Sequence, residues 1–320
     1  FGGGTPSLMD PGAVAAILER AGALFGLSAG AEIGLEANPN EAARFEALAD
    51  AGINRASLGV QALDDASLAA LGRDHDAKAG LRAFDTARSV FDRVSFDVIY
   101  ARKDQTPKAW EKELSAALAL RPDHLSAYQL TIEPGTAFYK QVERGAWRPP
   151  IEDAAADMYE ITQDLTQAAG LSAYEISNHA RRAEDQSAHN RLYWDGGDWI
   201  GIGPGAHSRV GSHAKGGRLA AQAARRPGDY IAGAAKRQAQ QLEILSARDE
   251  AIERTLMGLR LVEDGLSPAR IEALTGVAAD RDVAERLMRQ GVVSQSGQRL
   301  RLTRRGRLFA DHIAGLLAPA

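Results

Sequence analysis

Cysteine is absent from all 320 residues. That count excludes disulfides, thiolate metal sites, a cysteine nucleophile and any iron–sulfur cluster ligated by these residues themselves. Long apolar runs are missing too: no stretch approaches the roughly 20 residues a membrane-spanning helix requires, and stable membrane insertion is not expected. Nor is one sign of charge in excess. Lys and Arg number 38 against 42 Asp and Glu, a formal net charge of −4, which gives no field to concentrate nucleic acid or anionic lipid. There is no secretory signal at the start, where Phe1 is followed directly by Gly2-Gly3-Gly4, so a cytoplasmic location is expected. An apolar first residue running into a glycine turn, without an initiator methionine, points to an N-terminal truncation that removes the preceding strand.

What is present is globular. Hydrophobic residues at 45% and charged residues at 25% are ordinary, and the length calls for one large barrel-type domain or two smaller ones. Val14, Ile17, Leu18 and Leu24 recur at helical spacing behind Asp10 as N-cap and Pro11 at the first helical position, which predicts a helix over Pro11–Phe25. Strand-type runs follow at 33–37, 56–60, 94–100, 125–130 and 173–176. Helical patterns at 41–51, 77–91, 107–120 and 153–169 alternate with them. Repeated strand-then-helix order implies a parallel sheet, and with the missing first strand about six βα units are counted, a partial (β/α)6 TIM-type barrel rather than the full eight. A doubly wound open sheet is the alternative.

The barrel is expected over 1–210 and a connecting segment, broken by Gly216-Gly217 and basic residues, over 211–246. A small α+β domain of winged-helix-like order then fills 247–320: helices at 247–261, 267–274 and 277–290, a two-stranded ribbon at 292–302 turning at Ser296-Gly297, and a last helix at 305–317. Arg299, Arg301, Arg304, Arg305 and Arg307 cluster there, but from Gln241 onward twelve basic residues face eleven acidic ones. A solvated surface is preferred to a nucleic-acid interface.

In α/β barrels the chemistry lies at the C-terminal strand ends. Gly2-Gly3-Gly4-Thr5-Pro6-Ser7 follows the missing strand, Glu36 sits late in the next, Gln61 follows Val60, and Asp97 is embedded in the run over 94–100. Singly each reads as a sharp turn or a satisfied buried polar group. Recurrence on neighbouring strand ends favours a ligand site, to which Arg73 adds a cation able to clamp a carboxylate or to pair with Asp74 or Asp76. A second constellation runs from Tyr174 to Ser208. It holds His179, His189 and His207, with aromatic faces on Tyr193, Trp194 and Trp199 that could stack on a planar macrocycle; the bland reading is a set of core histidines beside a glycine-rich turn. His75, His124, His213 and His312 read as structural.

Gly2-Gly3-Gly4-Thr5-Pro6-Ser7-Leu8, Leu35-Glu36-Ala37-Asn38-Pro39, Ser57-Leu58-Gly59-Val60-Gln61, Phe96-Asp97-Val98-Ile99-Tyr100, Leu130-Thr131-Ile132-Glu133-Pro134-Gly135-Thr136, Tyr174-Glu175-Ile176-Ser177-Asn178 and His189-Asn190-x-x-Tyr193-Trp194 together resemble the radical SAM proteins related to oxygen-independent coproporphyrinogen III oxidase. More narrowly they resemble the HemW heme chaperones, over nearly the whole chain. The resemblance implies a barrel that holds a [4Fe-4S] cluster and S-adenosylmethionine at its strand C-termini. It implies that Gly3, Gly4 and Thr5 contact the methionyl part, that Glu36 binds polar groups of the cofactor, and that Gln61, Arg73 and Asp97 line its pocket, with Thr131 and His207 as further positions. His189, Tyr193 and Trp194 belong to the motif that marks the chaperone branch and are the heme candidates.

Two departures stand out. The family's Cys-x3-Cys-x2-Cys loop lies upstream of the glycine run and is not in this sequence, so the cluster and radical cleavage of S-adenosylmethionine belong to a full-length protein. The turn Ala101-Arg102-Lys103-Asp104-Gln105-Thr106 replaces the family's Pro-Gly before Gln-Thr. The expected partners are heme and a heme-acceptor protein; the rival function is coproporphyrinogen III oxidation, and a third role is docking by the C-terminal domain.

Overall fold

The computed structural model describes residues 1–145 and 148–318. By internal contacts the chain forms two compact units, Phe1–Gln186 and Ser187–Ala320, the first break falling ahead of the expected boundary at 210.

The first unit is built on six strands: β1 (Gly34–Ala37), β2 (Arg55–Gln61), β3 (Arg93–Tyr100), β4 (His124–Gln129), β5 (Ser172–Ala173) and β6 (Asn178–Ala180). They form one sheet in the order β1-β2-β3-β4-β6-β5. Strands β1 to β4 are parallel, as the strand–helix alternation requires. Phe1 runs beside β1, its carbonyl accepting from Glu36 N at 3.0 Å. The expected last strand at 173–176 is corrected here. Glu175 Oε1 accepts from Ser177 N and from Asn178 Nδ2, closing a tight turn, so the backbone reverses and β6 pairs antiparallel with both β4 and β5.

The first unit has seven α-helices among the described residues: α1 (Pro11–Phe25), α2 (Phe45–Asp50), α3 (Asp65–Ala70), α4 (Ala77–Val90), α5 (Pro107–Ala119), α6 (Ala137–Glu143) and α7 (Glu152–Ala168). Their starts follow from local chemistry. Asp10, Asp64, Asp76 and Thr106 each accept a backbone N–H three residues on, each cap contributing about 1 kcal/mol. Helix α4 buries Gly80, Ala83, Phe84 and Ala87, the spacing of one helical face. Phe84 meets Phe96 edge-on at 4.9 Å, and Trp110 of α5 stacks on Tyr100 at 5.2 Å while its indole N–H donates to Thr162 at 2.9 Å.

Strand periodicity divides the sheet into two faces. Leu35, Ala37, Ala56, Leu58, Val60, Val94, Phe96, Val98, Leu125 and Ala127 pack in the apolar core. The alternate positions are Glu36, Ser57, Gln61, Ser95, Asp97, His124 and Ser126. One face of the sheet is therefore polar.

The second unit begins with α8 (Ala188–Trp194) and contains an antiparallel sheet of β7 (His207–Ser212), β8 (Gly217–Ala223) and β9 (Gln240–Leu245), with α9 (Pro227–Ala235) between the last two. The segment 211–246, expected as a connector, is thus largely sheet: Gly216 and Gly217 adopt positive φ and turn a hairpin, and Ala220, Ala221 and Ala223 are buried. Then come α10 (Ala247–Gly258), α11 (Pro268–Thr275), α12 (Arg281–Arg289), the hairpin β10 (Val293–Ser296) and β11 (Arg299–Leu302), α13 (Arg304–Arg307) and α14 (Ala310–Leu317). Three helices, a ribbon and closing helices reproduce the winged-helix-like order read from the sequence. No helix among the described residues is long and apolar enough to cross a membrane.

Candidate functional site

On the polar face of the first unit, the glycine run lies against the end of β1. Gly3 N donates to Glu36 Oε2 at 3.0 Å. Gly3 and Gly4 hold φ of +78° and +65°, and a Cβ at either would meet nothing within 4 Å. Glycine is required there by backbone conformation, and open space lies above it. Thr5 leads into a short 3-10 turn over Pro6–Leu8, tied down by Asn38 N donating to Ser7 Oγ at 3.2 Å.

Gln61 ends β2 in a left-handed conformation, φ +68°, where the register with β3 slips. Its carbonyl accepts from Arg102 Nη1 at 3.4 Å. In the turn that departs from the family pattern, Asp104 stands in place of glycine at φ +57°, a conformation Asp tolerates better than most residues. Gln105 and Arg102 both reach Glu113.

Asp97 is the centre of a buried hydrogen-bond row. Ser57 Oγ donates to Oδ2 at 2.5 Å and Ser95 Oγ to Oδ1 at 2.6 Å. Ser95 Oγ also lies 2.7 Å from His124 Nδ1, and His124 Nε2 lies 2.9 Å from Tyr174 OH. Ser95 has one proton, given to the carboxylate, so it accepts from His124 Nδ1–H, which leaves Nε2 to accept from Tyr174. Ser126 Oγ, 3.0 Å from Ser95 Oγ, donates to Asn178 Oδ1 at 2.7 Å, and Asn178 Nδ2 donates to Glu175 Oε1. Burial pushes the Asp97 carboxyl up to about 6, against the pull of the Ser57, Ser95 and Ser126 hydroxyls and of Arg55. Burial, followed by nearby Arg55 and His179, holds His124 well below its ordinary value and keeps it neutral.

The first unit therefore gathers Gly3, Gly4, Thr5, Glu36, Gln61 and Asp97 along the C-terminal rim of one sheet. Arg73 and Thr131 are exposed on the loops that follow α3 and β4, away from the hydrogen bonds that tie the rim together. His207 belongs to the second unit, exposed at the start of β7. Sequence reading missed Ser57, Ser95, His124, Ser126 and Tyr174 as members of this row. The signal was the alternation itself: Arg55, Ser57, Gly59 and Gln61 in β2 and Ser95 and Asp97 in β3 sit at every second position.

In the second unit, His189 and Tyr193 are i,i+4 neighbours on α8, ring centroids 4.6 Å apart, and Tyr193 continues to Trp199 at 4.5 Å. Trp194 departs from that ladder and lies under Arg260, whose guanidinium is 4.6 Å from the ring centroid. The turn after α8 is held by buried arginines: Arg254 Nη1 donates to Gly196 O at 2.7 Å and Arg218 Nη2 to Gly197 O at 3.0 Å. Among the described residues no group of three or more His, Asp and Glu could hold a metal ion.

Residues 1–117 match the radical SAM superfamily and residues 245–309 the HemN C-terminal domain. The heme chaperone HemW of Mycobacterium tuberculosis is 36% identical over 99% of this chain and 79% of its own length. This chain belongs to the HemW family of radical SAM proteins. HemW of Escherichia coli is 35% identical over 99% of the chain and 82% of its own. A mouse mitochondrial radical S-adenosyl methionine domain-containing protein 1 is 45% identical over 68% of the chain; the chain spans about half the length of that relative and its counterparts. The solved coproporphyrinogen III oxidase HemN of E. coli shares the fold, with a TM-score of 0.80 at 22% identity over 99% of this chain and 76% of that one.

The two family cofactors fit these residues differently. With no cysteine, the sequence offers no thiolate to a [4Fe-4S] cluster. The rim does suit S-adenosylmethionine: open space above two left-handed glycines, an exposed carboxylate at Glu36 for an ammonium, and a buried acid at Asp97 for hydroxyl groups.

Proposed function

We propose that this chain is the larger part of a cytoplasmic heme chaperone, which binds heme and hands it to an acceptor protein. The observation that carries this reading is identity of 35–36% to heme chaperones over 99% of the chain, with His189-Asn190-x-x-Tyr193-Trp194 intact on a helix that has no fully buried residue. His189 offers the imidazole; Tyr193 and Trp194 are the aromatic members of the motif.

On the same reading the first unit holds S-adenosylmethionine. Gly3, Gly4 and Thr5 take the methionyl part, Glu36 its ammonium, and Gln61, Arg73 and Asp97 line the rest, with Thr131 as a further position. Bound there in the full-length protein beside a [4Fe-4S] cluster, S-adenosylmethionine would supply radical chemistry. This chain's residues contribute binding and orientation.

The test is a titration with hemin followed by the Soret band. Saturation at one heme per chain, with a changed spectrum in His189→Ala, is the expected outcome. Conversion of coproporphyrinogen III by the intact reduced protein would overturn the reading in favour of the oxidase.

A further inference from the structure

The second unit contains a small cleft beside the heme motif. It lies at the N-terminal end of α11 and is lined by Trp194, Leu266, Ser267, Arg254, Arg270 and Arg299, with Asp195 at its edge. Its volume is about 30 Å³, room for about two water molecules. A porphyrin ring does not fit in it. The two oxygens of a carboxylate do.

The donors in this cleft are only partly used by the protein. Arg254 is 8% exposed, and it donates through Nε to Glu250 and through Nη1 to Gly196 O; its Nη2 has no partner among the described residues. Arg299 spends Nη1 on the carbonyls of Asp264 and Gly265, and its other nitrogens have no hydrogen-bond partner among the described residues. The Trp194 indole N–H is buried without a hydrogen-bond partner, a state that costs free energy unless something accepts from it. Arg270 is held by Asp195 at 2.6 Å across a half-exposed pair. Three guanidiniums against the two carboxylates that pair with them, Asp195 and Glu250, leave the cleft net positive, and the N-terminus of an eight-residue helix adds to that potential.

We infer that this cleft binds a carboxylate, and that the carboxylate is a propionate of the heme this unit carries. The inference rests on the chaperone reading above. Trp194 connects the two, because one residue of the heme motif lines the cleft with its N–H unsatisfied. Bidentate arginine geometry matches a carboxylate, and two anchored oxygens would fix the orientation of a flat, nearly symmetric ligand that one axial nitrogen leaves free to rotate.

The test compares hemin with hemin dimethyl ester, which keeps the iron and ring and loses both negative charges. Arg254 and Arg299 also brace the backbone and Trp194 belongs to the heme motif, so the variants are Arg270→Ala and Arg270→Met, the second keeping the apolar stem and removing the charge; among the described residues the Arg270 side chain bonds only Asp195. The wild type should bind the ester about tenfold more weakly than hemin, the loss expected for a charge-assisted pair. Each variant should weaken hemin severalfold and leave the ester unchanged. Equal binding of hemin and ester by the wild type overturns the inference and leaves the chaperone reading intact. So do variants that bind both ligands as the wild type does, a result that would assign any carboxylate in the cleft to another source, such as an acceptor protein. Failure to bind hemin at all overturns both, and is told apart from the other outcomes by the missing Soret change.

Discussion

The polar row on the sheet and the turn behind α8 bury their polar atoms in opposite ways. Along the sheet, three hydroxyls and a neutral imidazole surround one carboxylate, Asp97, that itself holds a proton up to about pH 6. Behind α8, full charges are buried: Glu250 is 0% exposed, Arg218 1% and Arg254 8%. Hydroxyl networks can reverse direction without moving charge, which suits a face that meets a changing ligand. Fixed ion pairs cannot, and they hold a backbone turn and its aromatic ladder in one place.

The sharpest way to break this contrast is to strip one charge from the second region. Glu250 accepts from Arg254 Nε at 2.7 Å and from His213 N at 2.7 Å. Glu250→Ala should destabilise the second unit by about 3–5 kcal/mol, because a buried guanidinium is left uncompensated. Urea unfolding followed by tryptophan fluorescence measures it, and a loss under about 1 kcal/mol would show that water reaches Arg254 and that the buried-charge description is wrong.

In the first region the equivalent experiment is a pH profile. Asp97 is raised from 3.8 to about 6 in the folded state, so its stabilising contribution is present below about pH 4 and disappears as pH rises through 6, about 3 kcal/mol in all. His124 is depressed, and its contribution runs the other way, present above about pH 6.5 and lost as pH falls. The two oppose each other between pH 4 and 6. Asp97→Asn removes one of them. The wild type should be nearly flat over that window, while the variant gains stability with pH by up to about 1.4 kcal/mol per pH unit. A variant flat over that window would mean that His124 is not held neutral, and a variant curve parallel to the wild type would mean that Asp97 is not raised.

Ser57→Ala probes the same row more gently. It deletes one donor to the carboxylate, which the hydroxyl stabilises in its charged form, so the midpoint of the Asp97 transition should move up by about one pH unit. Difference infrared spectroscopy of the carboxyl band reads this directly. An unmoved midpoint would show that Ser57 does not stabilise the charged carboxylate.

The two regions also differ in how far the sequence disclosed them. Asp97 was legible because an acid in the run over 94–100 has no local partner and stands out from its apolar neighbours. His124 was not, since Ser95 lies 29 residues before it and Tyr174 50 residues after, and no single sequence displays such pairings. The parallel order of β1 to β4 followed from alternation, whereas the reversal at Glu175 depends on one side chain capping its own turn. In the second unit the ribbon was legible from its glycine turn. The motif residues His189, Tyr193 and Trp194 read as one aromatic group; in the structure they separate, because positions 193 and 194 on a helix face different directions, and Trp199 takes the place beside Tyr193.

The smallest effect belongs to an ion pair of the second unit that is not buried. Asp195 and Arg270 form a half-exposed pair at the mouth of the cleft, their side chains 49% and 44% exposed. Such a pair is worth at most about 1 kcal/mol, so Asp195→Asn should barely shift the urea midpoint, in contrast to Glu250→Ala. Its consequence for binding has the opposite sign. Removing the resident carboxylate frees Arg270 for an incoming one, and hemin affinity should rise by up to about fivefold, the binding equivalent of that pair energy. Hemin dimethyl ester should gain nothing. Tightening of both ligands alike would trace the gain to general electrostatics rather than to the carboxylate site, and weaker hemin binding would make Asp195 a contact of the ligand itself.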